Sequence, residues 1–221
     1  MAYNGKDNFN NESNHDMRHH ILKLEIINMS IEYYNNFAED FIKGTIVADL
    51  SELRDRFLKY LQVGVHILDL GCGSGRDAKV FLEKGYQITA IDGSSACCKL
   101  AADYIDQEVL CRTFKQLSFT EEFEGIWASA SLLHVPYDEL TEIFLLIDQA
   151  LKPGGVLYAS FKYGDFEGQR NGRYFTDLTE VRLMTVLKPI NHFEIVETFV
   201  TDDVRSGHES VKWLNVIARK K

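Results

Sequence analysis

The sequence predicts a doubly wound α/β fold: a seven-stranded, mostly parallel sheet with one antiparallel strand in a C-terminal hairpin. Three observations predict it. From Val65 onward, short apolar runs alternate with amphipathic helical stretches, the pattern of repeated βαβ units. A glycine-rich turn, Gly71-Cys72-Gly73-Ser74-Gly75, follows the first of those runs. The last two runs, FEIVETFVTDDV and VKWLNVIARK, have no helical stretch between them and read as a hairpin.

Each element can be justified in order. Residues 1–15 are Asn-rich with almost nothing to bury, and they read as a disordered polar tail. His15, His19 and His20 fall close together there, but no carboxylate or thiol completes a metal frame. Residues 16–62 read as an N-terminal helical cap. Residues 21–29 are apolar and fit either helix or strand. Ser30 is the expected N-cap of a helix through Lys43, with Ile31, Tyr34, Phe37, Ala38 and Phe41 at helical spacing. A second helix is expected from Asp49 to Leu61. Residues 63–221 form the main domain.

Within it, Val65–Leu70 is the first strand, and a helix runs on to Lys84. Gln87–Asp92 is the second strand, followed by a helix from Ser94 to Tyr104. Short strands at 108–112 and 125–129 precede a helix over Asp138–Leu151. Leu151-Lys152-Pro153-Gly154-Gly155 stops that helix and turns the chain into a fifth strand at 156–161. A polar loop is expected over 162–176, then a helix over 177–187.

Composition limits the functional classes. The 221 residues carry 24 Lys+Arg against 33 Asp+Glu, a formal net charge of −9, and neither half of the chain is basic. That counts against an extended grip on nucleic acid. No apolar run approaches the roughly 18 residues that span a bilayer, and no leader peptide is legible, so the expected compartment is the cytoplasm. The four cysteines, Cys72, Cys97, Cys98 and Cys111, match no zinc spacing. Vicinal Cys97 and Cys98 read as small helix residues.

The glycine turn carries the chemistry. Glycines let the backbone turn sharply from strand to helix and approach a ligand without Cβ clashes. Open α/β sheets bind nucleotides at this edge. Asp92 ends the second strand 21 positions after Gly71, where a carboxylate can accept both ribose hydroxyls. A dinucleotide loop has its third glycine at the sixth position, and here that position is Arg76. Asp69, just before the loop, would repel a diphosphate but suits a cationic ligand.

At this point the sequence resembles the class I S-adenosylmethionine-dependent methyltransferases, whose sheet is Rossmann-like. Asp69-x-Gly71-x-Gly73-x-Gly75 resembles their first motif and Ile91-Asp92-Gly93-Ser94 their second. Leu151–Gly155 resembles the turn before their fifth strand. The order of elements matches from about residue 30 to 221. The small bacterial enzymes labelled tellurite-resistance-like are similar in their Gly-x-Gly-Arg segment. The resemblance implies S-adenosylmethionine as cofactor and S-adenosylhomocysteine as product. It implies that Gly71, Cys72, Gly73 and Gly75 shape the methionine side and that Asp69 sits near the cofactor's amino group. Asp92 would hold the ribose, Gly93 and Ser94 would flank the adenosine, and Ala128-Ser129 would pass beside the sulfonium. The family's Asp after the third strand is absent; Thr113-Phe114 stands there, with Phe114 offering its ring and N–H. Tyr34 resembles the aromatic that covers the cofactor, and helices before residue 62 would cover the site.

The acceptor is less legible. The motifs of amino-methylating DNA enzymes, cytosine C5 enzymes, arginine enzymes and metal-dependent catechol enzymes are all missing after the fourth strand, which reads Ser129-Ala130-Ser131-Leu132. His134 follows, near the methyl site that the resemblance implies, where imidazole acts as a base or orients an acceptor. His134 and Tyr163 are the candidates for catalysis. Lys162, Tyr163, Arg170, Arg173 and Tyr174 make a small cationic and aromatic island that suits an acidic or planar acceptor. The expectation is a small-molecule methyltransferase without DNA, membrane or metal, working as a monomer or homodimer. A protein or tRNA acceptor and a non-catalytic cofactor-binding module are the alternatives.

Overall fold

The computed structural model describes residue 26 and residues 28–205, 207 and 210–221. The expected tail, its three histidines and most of the 16–29 segment lie outside the described residues. Residues 26, 28 and 29 are helical, which answers the helix-or-strand question for that end of the segment.

Nine strands and six longer helices are described. The helices are α1 over 28–45, α2 (Ser51–Leu58), α3 (Arg76–Glu83), α4 (Ser95–Ile105), α5 (Leu140–Ala150) and α6 (Glu180–Leu187). The strands of the main sheet are β1 (His66–Leu70), β2 (Gln87–Asp92), β3 (Val109–Cys111), β4 (Phe123–Ala128), β5 (Leu151–Lys162), β8 (Phe193–Asp202) and β9 (Lys212–Lys220). β6 (Glu167–Arg170) and β7 (Arg173–Thr176) form a separate two-stranded sheet. The main sheet has the order β3-β2-β1-β4-β5-β9-β8, and β9 runs antiparallel to both β5 and β8. The expected fold class therefore holds. The strand order reverses between β1 and β4, and the carboxyl ends of these two strands open the crevice in which such sheets bind ligands.

Strand alternation sorts the core. Leu68, Ile126, Leu157 and Ala159 face one layer with Ile143 and Phe144 of α5 and Leu183 of α6. Ile67, Trp127, Val156 and Tyr158 face the other, with Phe57 of α2 and Phe81 of α3. Trp127 stacks on Tyr158 at 4.0 Å between ring centroids. Asp69 alternates onto this second side, buried under the helices rather than exposed at the strand end.

Several expected boundaries move. Ser30 is no N-cap, because the helix already includes residues 28 and 29; its hydroxyl instead accepts from Tyr174 N at 3.0 Å. α2 is shorter than the Asp49–Leu61 expectation, with Asp49 Oδ1 accepting from Ser51 N at 2.8 Å just before it. The Leu151–Gly155 turn is a looped-out bulge at the start of β5: Phe123 pairs with Leu151, but Gly125 pairs with Val156. The 162–176 segment is not a loop. It contains the β6–β7 hairpin, whose Gly172 adopts φ +76° at the turn. Among the described residues no helix is long and apolar enough to cross a membrane.

Candidate functional site

A cavity of about 640 Å³ opens at the carboxyl ends of β1, β2, β4 and β5. The glycine turn forms its floor. Gly71 (φ +81°) donates its N–H to Ile91 O at 2.8 Å, and a Cβ there would lie 3.0 Å from Ser131 Oγ and collide with Ser131 Cβ. Gly73 donates its N–H to Asp92 Oδ2 at 2.9 Å, and Ser94 donates its N–H to Asp92 Oδ1 at 2.8 Å. Asp92 thus ties the loop after β1 to the turn after β2. Burial pushes its carboxyl up, and those N–H groups pull it back down.

Asp69 sits beside this floor, 3% exposed. Among the described residues its Oδ2 has no hydrogen-bond partner. Burial, with Asp77 nearby, raises its carboxyl well above the usual carboxylate range. Gly75 does not line the cavity. A Cβ there would lie 2.9 Å from Ile105 Cγ2, so this glycine lets α3 start against α4. Ala128 is fully buried behind the wall, whereas Ser129, one residue on, lines it. Cys72 lines it too, its thiol pushed up by burial. Phe114 begins a short helical turn and brings its ring against the Gly71 face. Ala130 is held at φ +51°, with its N–H donated to Ser160 Oγ at 2.8 Å, a strained position of the kind that concentrates at sites.

Helix α1 covers the cavity. Ile31 lies over Gly93 and Phe41 over Gly73, each with a side-chain atom 3.3 Å from where a Cβ would be. Asn35 Oδ1 accepts from Ser94 Oγ at 2.8 Å and docks α1 on the start of α4. Asp77, in the first turn of α3, collects Arg54 Nη1 at 2.7 Å, Arg76 Nη2 at 2.8 Å and Trp127 Nε1 at 3.0 Å. Arg76 also donates to Thr45 O at 3.0 Å. This explains the arginine that replaces a loop glycine: it anchors the end of α1 to α3.

The far wall is built from chain-distant pieces. His134 Nδ1 lies 2.6 Å from Tyr174 O, so Nδ1 carries the proton and Nε2 is the acceptor. Tyr34 donates its hydroxyl to that Nε2 at 2.9 Å. Arg173 Nη1 in turn donates to the Tyr34 oxygen at 3.2 Å. Burial, with Arg173 and Lys162 nearby, lowers the imidazole to about 4. Burial raises the Tyr34 phenol, so Tyr34 is a donor here.

Besides Gly75 and Ala128, Tyr163 and Tyr174 stay outside the cavity lining. Tyr163 is exposed and donates its hydroxyl to Glu180 Oε2 at 3.0 Å, because the last residue of β5 is Lys162 and the chain has already turned toward α6. Tyr174 directs its hydroxyl to Glu167 Oε1 at 2.8 Å and contributes only backbone to the His134 environment. One of the three cations of the island is spent. Arg170 pairs with the buried Asp177 and covers the Phe166 ring at 3.8 Å. Lys162 and Arg173 line the cavity. Sequence reasoning missed Asp203, Asn35, Ser131 and Asp77. Asp203 lies just after β8 and binds Arg205 through both oxygens, at 2.9 and 2.6 Å, and Trp213 Nε1 at 3.1 Å. Nothing in local periodicity marks such partners; only the chemistry of an acidic pair, Asp202-Asp203, in a turn hinted at it.

With this geometry in place, the comparisons are specific. A family model described as a methyltransferase domain matches residues 67–155. The ubiquinone biosynthesis O-methyltransferase of Nitrobacter winogradskyi is 31% identical over 105 residues, 44% of this chain and 38% of that protein. The chain thus spans well under half the length of that relative. A solved S-adenosylmethionine-dependent methyltransferase of Methanosarcina mazei superposes with a TM-score of 0.67 at 26% identity, over 78% of this chain and 98% of that one. The Burkholderia thailandensis 1,6-didemethyltoxoflavin-N1-methyltransferase, solved with 1,6-didemethyltoxoflavin and S-adenosylhomocysteine, shares the fold at a TM-score of 0.65 and 24% identity, over 87% and 90% of the two chains. Strand order, glycine turn and these matches, with the methyltransferase-domain match confined to residues 67–155, together support a class I S-adenosylmethionine-dependent methyltransferase.

Proposed function

We propose that the chain transfers a methyl group from S-adenosylmethionine to a small-molecule acceptor inside the cavity. The observation that carries this is Asp69: a buried carboxylate with an unpartnered oxygen, beside a glycine floor, is costly to keep unless a cation meets it. The cofactor's amino group fits that oxygen, and its ribose hydroxyls fit the Asp92 carboxylate. Gly71, Cys72 and Gly73 would hold its methionine part, Gly93, Ser94 and Phe114 its adenosine, and Ser129 would face its sulfur. When bound, the cofactor supplies an electrophilic methyl group. The protein then supplies alignment and exclusion of water. Tyr34, Ile31 and Phe41 of α1 provide the cover, with residues 16–62 proposed as its cap. His134 stands as a positioning residue rather than a base, because an imidazole held neutral down to about pH 4 retains a proton poorly.

The small-molecule acceptor is supported by the enclosure of the far wall and by the ion pairs that consume Arg170 and Arg205. Calorimetry with S-adenosylhomocysteine tests the cofactor site: binding is expected, and Asp92→Ala should abolish it. Radiolabelled cofactor added to a cytoplasmic extract tests the acceptor. Label in small molecules is expected. Label in protein or tRNA would replace this reading with a macromolecular acceptor. No transfer to any fraction, with cofactor binding intact, would leave a non-catalytic module.

A further inference from the structure

The two ends of the cavity differ in charge. Asp69 and Asp92 lie at the glycine end, with Arg112 next to Asp92 and Arg76 paired with Asp77. Lys162, Arg173 and Arg205 lie at the far end. Arg205 is neutralised there by Asp203, whose carboxyl the guanidinium holds down at about 2. Asp202 is taken by Lys212 on β9. Arg170, behind the wall, is taken by Asp177.

Lys162 and Arg173 are left. Among the described residues, neither forms an ion pair with a carboxylate. Both share one aromatic ring: Lys162 Nζ is 4.5 Å and the Arg173 guanidinium 5.2 Å from the Phe175 centroid. Arg173 also lies 4.6 Å from the Tyr33 ring, and its buried Nε has no hydrogen-bond partner among the described residues. Two like charges gathered at a half-buried wall repel each other, and an anion between them relieves that repulsion. Three aromatic side chains, Tyr34, Phe175 and Trp213, also line the cavity and offer ring faces to a planar molecule.

We propose that the acceptor is a planar acid, an aromatic molecule with a carboxylate or comparably anionic oxygen, gripped by Lys162 and Arg173. This rests on the methyl-transfer reading of the cavity and deepens it. An anionic oxygen that itself takes the methyl, O–CH3 forming as S–CH3 breaks, has no proton to lose and needs no general base, in keeping with the weak basicity of His134.

The test is calorimetric titration of the full chain, loaded with S-adenosylhomocysteine, with naphthoate and with its neutral isostere naphthamide. Naphthoate should bind about tenfold or more tightly than naphthamide, the usual worth of a charge-assisted contact. Lys162→Met, which leaves the Tyr34–His134 contact alone, should erase most of that preference while S-adenosylhomocysteine affinity stays, and Arg173→Gln should erase it too. Equal binding of acid and amide, binding of neither, or a preference that survives both substitutions would overturn the proposal. Failure of S-adenosylhomocysteine to bind at all would overturn the methyl-transfer reading itself, a separate and visible result.

Discussion

Tyr34 of α1 donates its hydroxyl to Nε2 of His134, 100 residues further along the chain, at 2.9 Å. That bond joins the cover of the cavity to its far wall. Tyr34→Phe removes the donor and strands a buried imidazole nitrogen. The expected cost is about 1–3 kcal/mol of stability, read from the urea midpoint, together with weaker S-adenosylhomocysteine binding as α1 loosens. An unchanged midpoint would show that the contact carries no weight.

The same imidazole sets a pH window. Its folded pKa is depressed to about 4 from 6.5, so between those values the unfolded chain binds the extra proton. Its contribution is complete above 6.5, falls as the pH drops, and is exhausted below about 4. Measured against His134→Gln, the wild type should lose on the order of 3 kcal/mol more across that window. Parallel stability curves for the two proteins would contradict this.

Asp69 makes the opposite prediction. Its carboxyl is raised by burial, so the folded state keeps the proton longer and loses stability as the pH rises above 3.8. Asp69→Asn should therefore stabilise the free protein at neutral pH, by on the order of 1–3 kcal/mol, with an advantage that shrinks in acid. It should also weaken S-adenosylhomocysteine binding by about tenfold or more through loss of the charge that meets the amino group. Thermal melts with and without the ligand read both effects; a variant that melts lower when free would refute the first.

Gly71 and Gly154 share nearly the same backbone angle, φ +81° and +79°, but not the same surroundings. An added methyl at Gly154 meets nothing within 4 Å, whereas at Gly71 it runs into Ser131. Gly154→Ala should cost only the left-handed penalty of roughly 1–2 kcal/mol. Gly71→Ala should cost about 1–3 kcal/mol beyond that and impair ligand binding. Equal midpoints for the two variants would remove the steric argument.

What the sequence by itself determined is local. A strand, a glycine turn and a helix stand next to one another along the chain, so β1, the cavity floor and α3 are written in adjacent residues. Asp92 is legible for the same reason: it ends a strand whose apolar run is plain. The C-terminal hairpin follows from two runs with no helix between them. Tertiary structure alone decided the far wall. Tyr34, His134 and Arg173 come from α1, the segment after β4 and β7, and each of them separately reads as core, cap or loop. Their meeting depends on α1 folding across the sheet edge and on the β6–β7 hairpin, whose Gly168 at φ +145° interrupts the apolar alternation that marks a strand. The outward turn of Tyr163, the reach of Arg76 to Thr45 O and the pairing of Arg54 with Asp77 are of the same kind. Hydrogen bonds and ion pairs between distant residues leave no period in a sequence, because burial and charge pairing act through space rather than along the chain.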